Sequence, residues 1–147
     1  MTPYIRPVAI CVFSHRGRIL VSECYDPVKD EIFYRPLGGS IEFGERSMDA
    51  VIRELREELG AEVTDLRWLG VIENLFTFNG KPGHEIVMVY DGKFTNASLY
   101  EQVFWREDDP AYGDCEPMWK PLAFFEQGNA PLYPEGLFTL LKQHLLG

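Results

Sequence analysis

Residues 38–61 read GGSIEFGERSMDAVIRELREELGA, and the helix inside this stretch decides what kind of fold can hold it. Residues 47–59 carry helical periodicity. At roughly 100° per residue, Met48, Val51, Ile52, Leu55 and Leu59 share one arc, the expected core face. Glu54, Glu57 and Glu58 share a second arc. Ser47 is the expected N-cap, and Gly60 stands where a left-handed C-terminal residue belongs.

The acidic arc needs a reason. Like charges spaced i, i+3 and i+4 destabilise an isolated helix by a few tenths of a kcal/mol per pair. Glu57 and Glu58 also lie at the end where the helix dipole disfavours anions. Arg53 and Arg56 offset part of this, and ion pairing on a solvated face is one reading. The other is a cation site, because hard Mg²⁺ and Mn²⁺ ions take oxygen ligands and leave room for phosphates.

Outward from the helix, "RPVAICVFSH" is apolar at both alternating positions from Val8 to Phe13, which suits a strand covered on both faces. "RGR" (16–18) reads as a turn and "ILVSECY" as the returning strand. "DPVKDE" (26–31) is a polar loop, and "IFYRPL" leads into the glycine pair. "LRWLGVIENLF" and "HEIVMVYDGKF" read as strands around an "NGKPG" turn (79–83), and "REDDPAYGDCEP" (106–117) as an acidic loop. "PEGLFTLLKQHLL" reads as a last helix opened by Pro134, with Leu137, Phe138, Leu141 and Leu145 on its apolar stripe. Buried strands mixed with helices imply a sheet sandwiched between helices.

The whole-chain quantities set limits. A length of 147 residues suits one domain, and 46% apolar with 25% charged residues is an ordinary globular composition. With 14 basic and 23 acidic residues the net charge is −9, which provides no basic stripe for duplex nucleic acid. A small phosphorylated substrate remains compatible if divalent cations stand between protein and phosphates. No apolar run reaches the roughly 18 residues of a membrane span, and no secretion signal is visible in "MTPYIRPVAICVFSHRGR". Cys11, Cys24 and Cys115 make an odd count without metal-like spacing, so a reduced, cytoplasmic setting is expected.

The segment also has a fixed grammar. Gly39 is followed by five residues and Glu45, then by seven residues and Arg53-Glu54-Leu55-Arg56-Glu57-Glu58-Leu59-Gly60-Ala61. This resembles the signature of the Nudix hydrolase family at every specified position, with Ala61 a small residue in the final apolar slot. The resemblance implies an α/β (α+β) protein, an α/β/α sandwich with a mixed sheet, forming a single domain over 1–147. It implies an enzyme that hydrolyses a nucleoside diphosphate linked to another group, with Mg²⁺ or Mn²⁺. Carried over by position, Glu57 and Glu58 match the principal metal ligands and the Gly38 carbonyl a backbone ligand. Glu54 matches a residue that activates water in some members and binds metal in others. Arg53 and Glu45 match the pair that orients the helix carboxylates.

One departure concerns the entry to this segment. Members often carry Pro directly before the glycine pair, whereas here Leu37 stands there and Pro36 one step earlier, which bears on how Arg35 is aimed. Many members draw another acidic group from a later loop. Glu116 is the first choice for that role, followed by Asp114, Glu107, Asp108 and Asp109. Glu85, with His84, opens an apolar strand and is a candidate to face the substrate, as is Arg35 for a phosphate. Phe33, Tyr34, Phe76 and Phe78 are candidates to stack on a base, or core residues. His15 and His144 read as surface residues.

The leading expectation is therefore a metal-dependent pyrophosphohydrolase acting on a small nucleotide-type diphosphate, either a nucleoside diphosphate linked to a second moiety or a nucleoside triphosphate. Its rivals are a nucleotide-sensing module that does not cleave, RNA cap removal, and a purely partner-binding role. The retained carboxylates argue against the sensor, and the acidic balance against RNA. A homodimer is compatible with this reading.

Overall fold

The computed structural model describes residues 3–101 and 115–145. The candidate carboxylates Glu107, Asp108, Asp109 and Asp114 fall outside the described residues.

β1 (Arg6–Val12) is the centre of the first sheet. Its even residues Val8, Ile10 and Val12 face one core, and Ala9 and Cys11 face another, so the doubly apolar pattern read from the sequence is a strand covered on both sides. β1 pairs antiparallel with β5 (Leu37–Ser40) and parallel with β7 (Lys81–Phe94), and β7 pairs antiparallel with β6 (Val63–Phe78). The sheet is thus mixed, in the order β5-β1-β7-β6. A second sheet joins β2 (Ser14–His15), β3 (Arg18–Asp26) and β4 (Glu31–Arg35), with β8 (Glu116–Pro121) paired to β3.

The expected turn over 79–83 is shorter than the sequence suggested. Asn79 and Gly80, at φ of 53° and 78°, make a two-residue hairpin loop, and Lys81 to Gly83 already belong to β7. Asn-Gly adopts the paired left-handed conformations that match the twist of both strands. Asp26, buried at the end of β3, ties this loop down: its carboxylate accepts hydrogen bonds from the backbone N–H groups of Val28 (3.0 Å), Lys29 (3.3 Å) and Asn79 (3.2 Å).

Helices cover both faces. α1 (Ser47–Leu59) buries Ala50, Val51 and Leu55 over the core containing Ala9, Cys11 and Leu37. On the other side α2 (Leu122–Glu126) and α3 (Leu137–Leu145) pack Leu122, Phe125, Leu137 and Leu141 over Val87 and Val89. Each such side chain contributes about 1.5–3 kcal/mol when fully buried. α3 starts at Leu137 rather than Pro134, because Gly136 at φ of 91° lies in a left-handed turn that no helix continues through.

The expectation of three reduced thiols holds for Cys11, which is free and buried. Cys24 of β3 and Cys115, just before β8, form a disulfide, their Cα atoms 4.4 Å apart across a sequence separation of 91. Antiparallel pairing of β3 with β8 is what brings them together.

Candidate active site

The glutamate helix starts and stops for local reasons. Gly60 closes it in the left-handed conformation (φ 64°, ψ 24°), its N–H donating to the Arg56 carbonyl. The N-cap position belongs to Arg46, not Ser47. The Ser47 hydroxyl is instead engaged with the Tyr90 hydroxyl at 2.6 Å, a partner from β7 that competes with the helix backbone. The buried face also differs from the expected arc. Met48 is exposed, and Ala50 and Glu54 join Val51 and Leu55. This rotation seats the Glu54 carboxylate against β5.

Gly39 makes that seat. A side-chain carbon at position 39 would stand 2.5–2.8 Å from the three carboxyl atoms of Glu54, so the glycine leaves the space that the carboxylate fills. Gly38 has a different reason: at φ of 151°, its missing side chain would collide with the Ala9 carbonyl and the Ile10 backbone on β1.

Arg53 answers the crowding of like charges. Its Nε donates to Glu45 Oε2 and its Nη2 to Glu45 Oε1, each at 2.9 Å, a planar fork on one carboxylate. Nη1 donates to Glu54 Oε1 at 2.9 Å and to Glu57 Oε2 at 3.4 Å, and Nη2 also reaches the Ser40 carbonyl at 3.0 Å. Glu42 stands 3.8 Å away. The hydrogen bonds to Glu45 above all, despite opposing desolvation, raise the Arg53 pKa and keep it charged. In return Arg53, with the backbone N–H of Glu42 in support, holds the Glu45 carboxyl below the usual carboxylate range. Arg56 turns away and forks onto Glu62 at 2.8 and 2.9 Å.

A cavity of about 300 Å³ opens beside this network. Gly38, Gly39 and Glu54 line one part of it, and Arg6, Asn74 and Glu85 another. The two parts are separated along β1, where Ile10 stands opposite Gly38 and Arg6 opposite Glu85. Phe33, Phe76 and Tyr133 supply aromatic wall.

Of the residues singled out in the sequence, Arg35, Gly38, Glu54 and Glu85 all line this cavity. Arg53, Glu45 and Glu57 are joined to it through the Arg53 network. Glu58 lies half-buried on α1. Glu116 is exposed at the start of β8, in register with Glu23, and is not among the residues lining the cavity. Tyr34 belongs to a core cluster, and Phe78 meets Phe33 edge-on at 5.7 Å. His15 is half-buried, 3.6 Å from Glu101, rather than simply on the surface. Arg6, Asn74 and Tyr133 were not singled out; the parallel register of β1 with β7 is what makes Arg6 a neighbour of Glu85.

Among the described residues no three carboxylate, imidazole or thiol groups already converge on one point. The structure does bring Glu54 and Glu57 together, since one Arg53 nitrogen contacts both. With the oxygen-only donor set of α1, and Gly38 lining the same cavity as Glu54, these residues fit a hard divalent cation of the Mg²⁺ or Mn²⁺ kind.

A family model for the NUDIX domain matches residues 3–121. Among solved structures, a NUDIX hydrolase from Nitrosomonas europaea superposes with a TM-score of 0.66 at 16% identity, over 98% of this chain and 90% of that one. A mutator MutT protein from Bacillus halodurans gives 0.62 at 17% identity, over 97% and 82%. A MutT NUDIX hydrolase from Burkholderia pseudomallei gives 0.58 at 23% identity, over 82% and 85%.

Proposed function

The chain belongs to the Nudix hydrolase family, and from that premise we propose that it is a divalent-metal-dependent pyrophosphohydrolase cleaving a nucleoside diphosphate linked to a second moiety, or a nucleoside triphosphate. The observation that carries this reading is the Arg53-centred carboxylate set, with Glu54 seated against Gly39 at the edge of the cavity.

In this proposal Glu57, Glu58 and the Gly38 carbonyl would hold Mg²⁺ or Mn²⁺, and Glu54, which matches a ligand in some members of the family and a base in others, is assigned as the base. When bound, such an ion supplies charge neutralisation for the diphosphate and acidifies the attacking water. Glu54 would take a proton from the attacking water at its carboxylate, whose orientation Arg53 fixes through Nη1. Glu45 in turn fixes Arg53 by binding two of its nitrogens. Arg35, in the cavity lining, pairs with phosphate oxygens, and Glu85 contacts the organic part of the substrate. Positioning and charge stabilisation of this kind are what substitution at phosphorus chiefly needs. The proposed role of Glu116 as an additional acidic group has sequence order as its support, and a kcat for Glu116→Gln within about twofold of the unaltered enzyme would refute it.

The test is a panel of nucleoside triphosphates and sugar nucleotides incubated with Mg²⁺ or Mn²⁺, with products identified by mass spectrometry. Release of a nucleoside monophosphate, together with pyrophosphate from a triphosphate or the phosphorylated second moiety from a sugar nucleotide, supports the proposal. Tight binding of one compound with no product from any would favour the nucleotide-sensing module instead.

A further inference from the structure

Across the far part of the cavity, three strands present one row of polar side chains. Arg6 on β1, Glu85 on β7 and Asn74 on β6 are register partners. Glu85 Oε1 accepts from Asn74 Nδ2 at 3.2 Å, and Glu85 Oε2 lies 3.3 Å from Arg6 Nη2. A carboxylate oxygen accepts two hydrogen bonds, so each still offers a second acceptor direction. The Arg6 side chain beside them is 40% exposed, which leaves guanidinium N–H donors for a ligand in the cavity.

Two residues along β6 and β7, the next pair on the same face supplies a flat wall. Phe76 is the register partner of Gly83, and a side chain at 83 would collide with the far edge of the Phe76 ring. The ring therefore lies across β7 in the space that the glycine leaves. Phe33 and Tyr133, with ring centroids 5.4 Å apart, approach the same cavity. Along β1 the Glu85 row is four residues from the Gly38 level, about 13 Å at roughly 3.3 Å per residue. That is the reach of an extended nucleotide from its diphosphate to the edge of its base.

We infer that the Arg6–Glu85–Asn74 row, with Phe76 laid over Gly83, is a base-reading site selective for guanine. This deepens the proposed function and rests on its nucleotide substrate. Guanine presents two adjacent donors, N1–H and the N2 amine, which match the two acceptor directions of Glu85, and next to them the O6 acceptor, which matches the exposed part of the Arg6 guanidinium. Adenine and cytosine each set an amine beside a bare ring nitrogen, whose lone pair would face the carboxylate. Uracil flanks its single N–H with two carbonyl oxygens, with the same repulsion. Phe76 supplies a stacking face that any base can use, so selectivity lies in the polar row.

The test uses nucleoside monophosphates, which contain no diphosphate bond, so binding is read apart from hydrolysis. Calorimetric titration of the whole protein should show GMP binding at least about tenfold tighter than AMP, CMP or UMP, the discrimination expected of a bidentate pair. Inosine monophosphate, which lacks the N2 amine, should bind the unaltered protein several-fold more weakly than GMP. Glu85→Gln should bring GMP and AMP to within about twofold, whereas Gly83→Ala should weaken all four nucleotides alike by moving Phe76. Equal binding of GMP and inosine monophosphate, or a guanine preference that survives Glu85→Gln, would overturn the site. Selective GMP binding without turnover of any guanosine diphosphate compound would overturn the hydrolase reading alone.

Discussion

Gly39→Ala isolates the chemistry of the glutamate helix from its folding. The added carbon would stand 2.5 Å from the Glu54 carboxyl carbon, whereas ordinary contact begins at 3.4 Å. Glu54 must therefore withdraw by about 0.9 Å, a displacement of the size that costs roughly 100-fold in rate, or about 2.7 kcal/mol of transition-state stabilisation. The obstacle is the tip of a side chain, and Gly39 itself does not occupy a positive-φ conformation. Stability should accordingly change little: weakening of one charge-assisted hydrogen bond is opposed by the ~0.4–1 kcal/mol gained when alanine restricts the unfolded chain. The assay is kcat on a confirmed diphosphate with saturating metal, beside a thermal melt in chelator. A kcat within about threefold of wild type would show that the position of Glu54 does not set the rate. Gly38→Ala is the control with the opposite outcome, since it drives a side chain into the β1 backbone and should lower the melting temperature itself.

Glu57→Gln and Glu58→Gln should each lower turnover by orders of magnitude, yet leave the chelated protein as stable or more so by relieving repulsion on α1; unchanged activity in either would refute the metal assignment. Arg53→Lys should not rescue Arg53→Ala, because a point charge cannot hold both oxygens of Glu45 and also reach Glu54 and Glu57; loss through KM alone, at unchanged kcat, would make Arg53 a substrate contact. At Asp26, burial raises the pKa, but the backbone donors of Asn79, Lys29 and Val28 outweigh it and leave the carboxyl below its ordinary value. Its stabilisation is thus present above the unfolded pKa of about 3.9 and lost as pH falls through the lower folded value. Asp26→Asn should flatten the acid limb of the melting-temperature profile, and an unchanged limb would refute it. Thiol titration of the unfolded protein should find one reactive group before reduction and three after it, and three before reduction would show that Cys24 and Cys115 are not joined.

Local periodicity made α1, β1 and the core strands legible, because each element's pattern is carried by its own residues. What resisted reading depends on partners distant in the chain. Ser47 is a good cap by type, but Tyr90, 43 residues on, takes its hydroxyl. The five residues of α2 are too few to display a helical period, and their apolar character suits a strand equally well. The Cys24–Cys115 pairing follows from β3–β8 register rather than from cysteine spacing. In the site, the glutamate helix was visible as a spacing pattern, and its Arg53–Glu45 pair was implied by the resemblance to the Nudix signature. The Arg6–Glu85–Asn74 row was not, because a parallel pairing of β1 with β7 leaves no local signature in either strand.

The Asp26 carboxylate turns the β6–β7 hairpin from a cantilever into a beam held at both ends. At its root the hairpin is anchored by β1 and the flanking cores; at its tip, it is anchored by the hydrogen bond from Asn79 to β3 of the other sheet. Phe76 stands three residues before that tip anchor. The stiffness of this aromatic wall is therefore inherited from a residue of the opposite sheet that need never touch a ligand. Lengthening or softening the loop at Asn79–Gly80 would return the hairpin to a cantilever, and the wall would then bend under load without any change to the residues that compose it.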